Sequence, residues 1–166
     1  MQKIIGSIIV VAVCSVMGFE KSRELQLHLK ELEELKKVFI LLRSEMQYTR
    51  VTFVEMFLKI SKKIEGLYRS WLIQLSETLE KHEKGTLQEA WELAILDSLK
   101  ESRLTIEEKE ELCRVGSSLG YPEAIELYLE QLELSIQRTR EELKNKNKLY
   151  QSMGILCGIF LVIVLL

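Results

Sequence analysis

Proline occurs once in the 166 residues, aspartate once (Asp97), histidine twice, cysteine three times and glycine eight times. Each shortage excludes something. So little proline and glycine leaves scant material for the tight turns of an all-β fold, and because every other acidic residue is glutamate the composition favours helix. A lone Asp97 rules out, within one chain, aspartate dyads and two-aspartate metal sites. Cys14, Cys113 and Cys157 are far apart, two of them inside apolar runs, so neither a disulfide framework nor zinc-ligand spacing is present. His28 and His82 sit in Glu/Lys-rich segments with no Cys or Ser motif beside them and read as surface residues rather than bases. The Gly116-Ser117-Ser118-Leu119-Gly120 segment is a helix end, not a phosphate loop. Lys and Arg number 23 against 25 acidic residues, a net charge of −2 that leaves no basic footprint for nucleic acid. No enzymatic activity, cofactor, metal or nucleic-acid partner is expected.

What the sequence has instead is apolar ends and a charged middle. Ile4 to Phe19 is an apolar run that would cover roughly 24 Å as a helix, and Met153 to Leu166 one of roughly 21 Å. Both are read as transmembrane helices, which gives three parts: an N-terminal membrane segment at 1–19, a helical domain at 20–150 and a C-terminal anchor at 151–166. A cleaved signal peptide competes for the first run, but no Ala-x-Ala site follows it and the chain continues directly into a charged helical pattern. Lysine and arginine crowd the inner flanks of both runs, with Lys21 and Arg23 after the first and Lys144, Lys146 and Lys148 before the second, whereas only Lys3 lies outside. By the bias of cationic loops toward the cytoplasm, the middle is expected in the cytosol and the basic flanks at the lipid headgroups of the bilayer.

The middle reads as an antiparallel bundle of about six helices with no strand signal. A first long helix carries Leu25, Leu29, Leu32, Leu35, Phe39, Leu42 and Met46 in one stripe. Thr52 with Glu55, Thr86 with Glu89 and Thr105 with Glu108 have the spacing of capping boxes and open the second, fourth and fifth helices. The second runs through about Lys63 with Gly66 marking its end, and Trp71, Leu72, Leu75 and Leu79 mark the third, with Gly85 as its left-handed end. The fourth carries apolar residues on two sides, and the fifth directs Ile106, Leu112, Val115 and Leu119 inward with Gly116 permitting close approach. Pro122 opens the last, with Ile125, Leu129, Leu132 and Ile136 inward and no breaker before the second apolar run. Arg43, Glu45, Tyr48 and Arg50, where the first helix turns into the second, are the candidate partner-binding residues, because a polar aromatic and guanidinium groups at a turn can anchor another protein. The Glu107, Glu108, Glu110 and Glu111 run reads as a solvated face, with an acidic docking strip as its alternative.

Five stretches carry a family resemblance: Gly18-Phe19 leading into the charged helix, Leu42 to Tyr48 at its end, Trp91 after Gly85-Thr86-Leu87, Leu119-Gly120, and Tyr150 to Leu166. In these the chain resembles the stage III sporulation protein AB family of endospore-forming bacteria. Locally, at Gly85 to Ala90, it is also similar to the cytoplasmic domain of the type II secretion inner-membrane platform protein. The chain departs from the family pattern at Val51-Thr52, where proline is common, and at Tyr121 to Ala124. The resemblance implies a non-catalytic assembly platform in the channel complex joining mother cell and forespore, at the outer forespore membrane on the mother-cell side. Its implied partners are other membrane proteins of that complex and the cytoplasmic ATPase, and exposed helix faces are compatible with a homo-oligomer. The alternative is a membrane-bound helical adaptor for a soluble regulator unrelated to a channel.

Overall fold

In the computed structural model the backbone is described for residues 2–48, 51–81 and 86–165, and side chains for 22–48, 51–81 and 86–146. Those residues form six helices: α1 (Gln2–Tyr48), α2 (Phe53–Ser61), α3 (Leu67–Glu80), α4 (Leu87–Ser98), α5 (Ile106–Gly116) and α6 (Pro122–Leu165). The chain is all-α, as its composition and periodicity predict. Among the described residues no helix is long and apolar enough to cross a membrane. The expected transmembrane helices flanking the bundle are therefore corrected. The physical reason is length: the apolar runs, 16 residues from Ile4 to Phe19 and 14 from Met153 to Leu166, fall short of the about 20 apolar residues that a span requires. Gly85, which was expected to close α3, lies outside the described residues.

The chain divides into two compact units, residues 1–29 with 137–166 and residues 30–136. In the first, Ser22, Thr139 and Leu143 are buried and Lys146 bonds Glu142 one turn away at 2.8 Å.

The second unit holds the large core, and threonine caps start three of its helices. The Thr52 hydroxyl accepts the Glu55 N–H, while at Thr86 and Thr105 the exchange is reciprocal, with Glu89 and Glu108 carboxylates accepting the threonine N–H in turn. Each cap satisfies N–H groups that the first helical turn would leave unpaired. Gly66, at φ +71°, precedes α3 as its N-cap rather than ending α2, which stops at Ser61. That backbone conformation strains any residue with a Cβ.

The α1 stripe buries Leu32, Leu35, Phe39 and Leu42 completely, with Val38 beside them, and α6 buries Ile125, Tyr128, Leu129, Leu132 and Ile136. Leu25, Leu29 and Met46 are half-buried. In α4 both expected apolar sides are used, since Ala90, Trp91, Ala94, Ile95 and Leu99 are all buried, but Leu93 is exposed. In α5 the expectation for Ile106 is corrected: as the first helical residue after the Thr105 cap it points to solvent, while Leu112, Val115 and Leu119 are buried.

Aromatic rings fill the centre. Trp71 and Trp91 meet edge to face at 4.7 Å, Phe39 lies 4.5 Å from Tyr128 and 6.3 Å from Trp91, and Phe57 is 6.2 Å from Trp91. Rings from four other helices thus converge on Trp91, directly or through one neighbour, in the tilted geometries that aromatic quadrupoles prefer. The Trp91 indole N–H donates to the Leu112 carbonyl at 2.8 Å, and its ring lies where a Cβ on Gly116 would be, 2.7 Å from Cγ and closer still to Cδ1.

Candidate functional site

The end of α1 carries the sequence-derived candidates, and the structure separates them by direction. Glu45 turns inward and is only 7% exposed; its carboxylate accepts from Lys59 at 2.6 Å and Lys63 at 3.2 Å. These two lysines are four apart, one turn along α2 and just past its end, so one buried acid ties the last turns of α1 to α2. Such a carboxylate serves the fold and is out of reach of a partner. Arg43, half-buried, donates from Nη1 to Glu126 on α6 at 3.4 Å. Tyr48, the last residue of α1, is 82% exposed. Arg50 lies outside the described residues.

Tyr48 does not stand alone. Lys37, Ile40, Ser44 and Tyr48 are all exposed and recur three and four apart, which places them on one outward stripe of α1. The stripe supplies an aliphatic group, an ammonium, a hydroxyl and an aromatic ring with a polar tip, the mixture that a protein partner can both pack against and hydrogen-bond. The far side of the same helix is fixed by core and ion pairs, so the stripe is presented on a rigid element. Lys36 is paired to Glu133, and Arg43, seven residues on, to Glu126, seven residues back. The equal and opposite spacing sets these segments of α1 and α6 antiparallel in one register, with the base on α1 and the acid on α6 both times.

Of the basic residues expected to flank a membrane, Arg23 and Lys144 are exposed, Lys146 is half-buried against Glu142, and the side chains of Lys21 and Lys148 lie outside the described residues.

Among the described residues no catalytic geometry assembles around the scarce chemical groups. Asp97 is exposed, accepting from Gln74 at 3.2 Å and Lys100 at 3.2 Å. Cys113 is half-buried, and its thiol is pushed up by burial and by Glu92 and Glu110, away from the reactive thiolate form. His82 lies outside the described residues. Among the described residues no group of three His, Cys, Asp or Glu could hold a metal ion.

One polar group escaped the sequence reading. Glu31 is buried on α1, accepting the Arg103 backbone N–H at 2.9 Å and the Tyr68 hydroxyl at 3.5 Å. Its position four before Leu35 and next to Leu32 places it inside the apolar stripe, and that placement was the available signal. Burial, followed by the Glu31 charge, pushes the Tyr68 phenol far above its usual range, so it stays a neutral donor.

Comparison with known proteins gives a consistent family. Residues 3–166 match the family model described as stage III sporulation protein AB. A curated relative, "Stage III sporulation protein AB" of Bacillus subtilis (strain 168), is 23% identical over 172 residues, covering all of both chains. No solved structure matches. With a family model spanning both long helices and the core between them, the chain belongs to the stage III sporulation protein AB family.

Proposed function

We propose that this sporulation protein is a non-catalytic assembly component of the channel complex between mother cell and forespore, and that the outward stripe of α1 ending at Tyr48 is a surface by which it holds a partner. The family match over residues 3–166 carries the sporulation role. The scarcity of Asp, His and paired Cys supports a binding part over a catalytic one. In this reading membrane proteins of the complex and its cytoplasmic ATPase are the partners, and the protein acts at the outer forespore membrane on the mother-cell side.

The experiment replaces Tyr48 by Ala and Ile40 by Asp in the native sporulating host. Both side chains are exposed, so the fold has little reason to fail. The expected result is a normal level of the protein, loss of channel components from material recovered with it, and a fall in heat-resistant spores. Normal recovery and normal spore counts in the double variant would overturn the surface. Recovery of soluble regulators in place of channel components would overturn the channel role.

A further inference from the structure

The outer side of α5 and α6 carries a second surface, independent of the α1 stripe and of the channel reading. Between the two helices lies a hollow of about 240 Å³, walled by Glu111, Arg114 and Ser118 of α5 and its C-terminal turn and by Leu127 and Gln131 of α6, with Val115 at its base. Leu127 is 60% exposed. Leu134, one heptad further along α6, is 53% exposed, and Gln131 sits between them on the same stripe. α6 has no need of these leucines for its own core, which it builds from Ile125, Tyr128, Leu129, Leu132 and Ile136. Two leucines seven apart beside a furrow between helices are the half-site that a third helix fills, ridge into groove.

Charge selects the occupant. Across α5 and residues 122–136 there are eight glutamates, at 107, 108, 110, 111, 123, 126, 130 and 133, against only Lys109 and Arg114, a net −6 in a chain whose total is −2. Glu126 and Glu133 are paired with α1 and Glu111 weakly with Arg114 at 4.0 Å, but Glu107, Glu110, Glu123 and Glu130 are exposed. An acidic helix would be repelled, and a second copy presenting this same face would set glutamates against glutamates.

We propose that the α5–α6 furrow docks an amphipathic helix from another protein, one that offers leucine-type side chains a heptad apart to Leu127 and Leu134 and lysine or arginine on its flanks.

The test uses the purified full chain and a fluorescent peptide of about 18 residues, helical, with leucines seven apart and lysine flanks, followed by anisotropy. Three results are expected: saturable binding that weakens with salt, weakening of at least about tenfold in the Leu127→Asp/Leu134→Asp variant, and tightening in Arg114→Glu. Circular dichroism and the urea midpoint establish that the variants remain folded, and Leu127→Ser/Leu134→Ser, which alters no charge, must weaken binding as well. Equal binding of the peptide to the wild type and the serine variant would overturn the proposal as mere charge adhesion. Equal binding of a peptide with glutamate flanks, no saturable binding at all, or a dimer that the leucine substitutions convert to monomer would overturn it too.

Discussion

Gly116 and Trp91 form a pair in which the smaller residue is dictated by the larger. The indole is pinned by its hydrogen bond to Leu112 and by its contacts with Trp71, Phe57 and Phe39, so it cannot swing away to admit a methyl group. Gly116→Ala gains helix propensity but overpacks the centre of the core, and overpacking wins. A loss of about 1–3 kcal/mol is expected, read as a lower urea midpoint. The sequence placed Gly116 as a point of close approach but gave no means of naming Trp91 as the neighbour, because the two lie on different helices and no local period links them. Glu31 was hidden for a related reason: a glutamate in a leucine-rich charged helix looks solvated until the partners contributed by Tyr68 and the Arg103 backbone are known. Glu31→Ala removes the acceptor of the part-buried Arg103 N–H and of the buried Tyr68 hydroxyl and should cost about 1–3 kcal/mol, checked by the same unfolding curve.

At the scale of single helices the sequence is most informative where chemistry is local. The three threonine caps lie where the Thr-x-x-Glu spacing puts them, because a capping bond, returned by the glutamate at Thr86 and Thr105, involves only four consecutive residues. Thr105→Ala should destabilise the chain by about 1 kcal/mol and Thr105→Gly by less of a side-chain effect, measured by thermal unfolding. Helix ends without such an exchange were less legible, as Gly66 shows by starting α3 instead of ending α2. The two ion pairs between α1 and α6 make a different prediction. Lys36→Glu or Glu133→Lys alone places like charges together, whereas the double exchange restores the attraction; the coupling in the mutant cycle should be about 0.2–1 kcal/mol and shrink with salt.

For the molecule as a whole, the amphipathic stripes predicted most of the inward face of each helix, and the error at Ile106 arose where a capping turn redirects the first helical residue. The terminal runs were misjudged as spans because runs of 16 and 14 apolar residues were accepted where about 20 are needed. The candidate site was legible as a place, the end of α1, but the inward turn of Glu45 was not, since it depends on the lysines of the following helix and turn. A global property also follows from the core. Burial pushes the phenols of Tyr68 and Tyr128 well above the ordinary tyrosine value of about 10, with Glu31 adding to the first and Glu111 to the second. The unfolded chain releases these two protons first, so their contribution is intact below about pH 10 and is lost progressively as pH rises beyond it. Phenolate absorbance should show both tyrosines ionising only together with loss of the near-ultraviolet dichroism; ionisation of either in a chain that keeps that signal would contradict the burial. The matched spacing of Lys36–Glu133 and Arg43–Glu126 carries a mechanical consequence: sliding α1 along α6 by a turn or less breaks both pairs at once, and a slide of a whole heptad, roughly 10 Å, restores only one of them. A push applied to one of these paired segments is therefore handed to the other as a common displacement, as between meshed teeth.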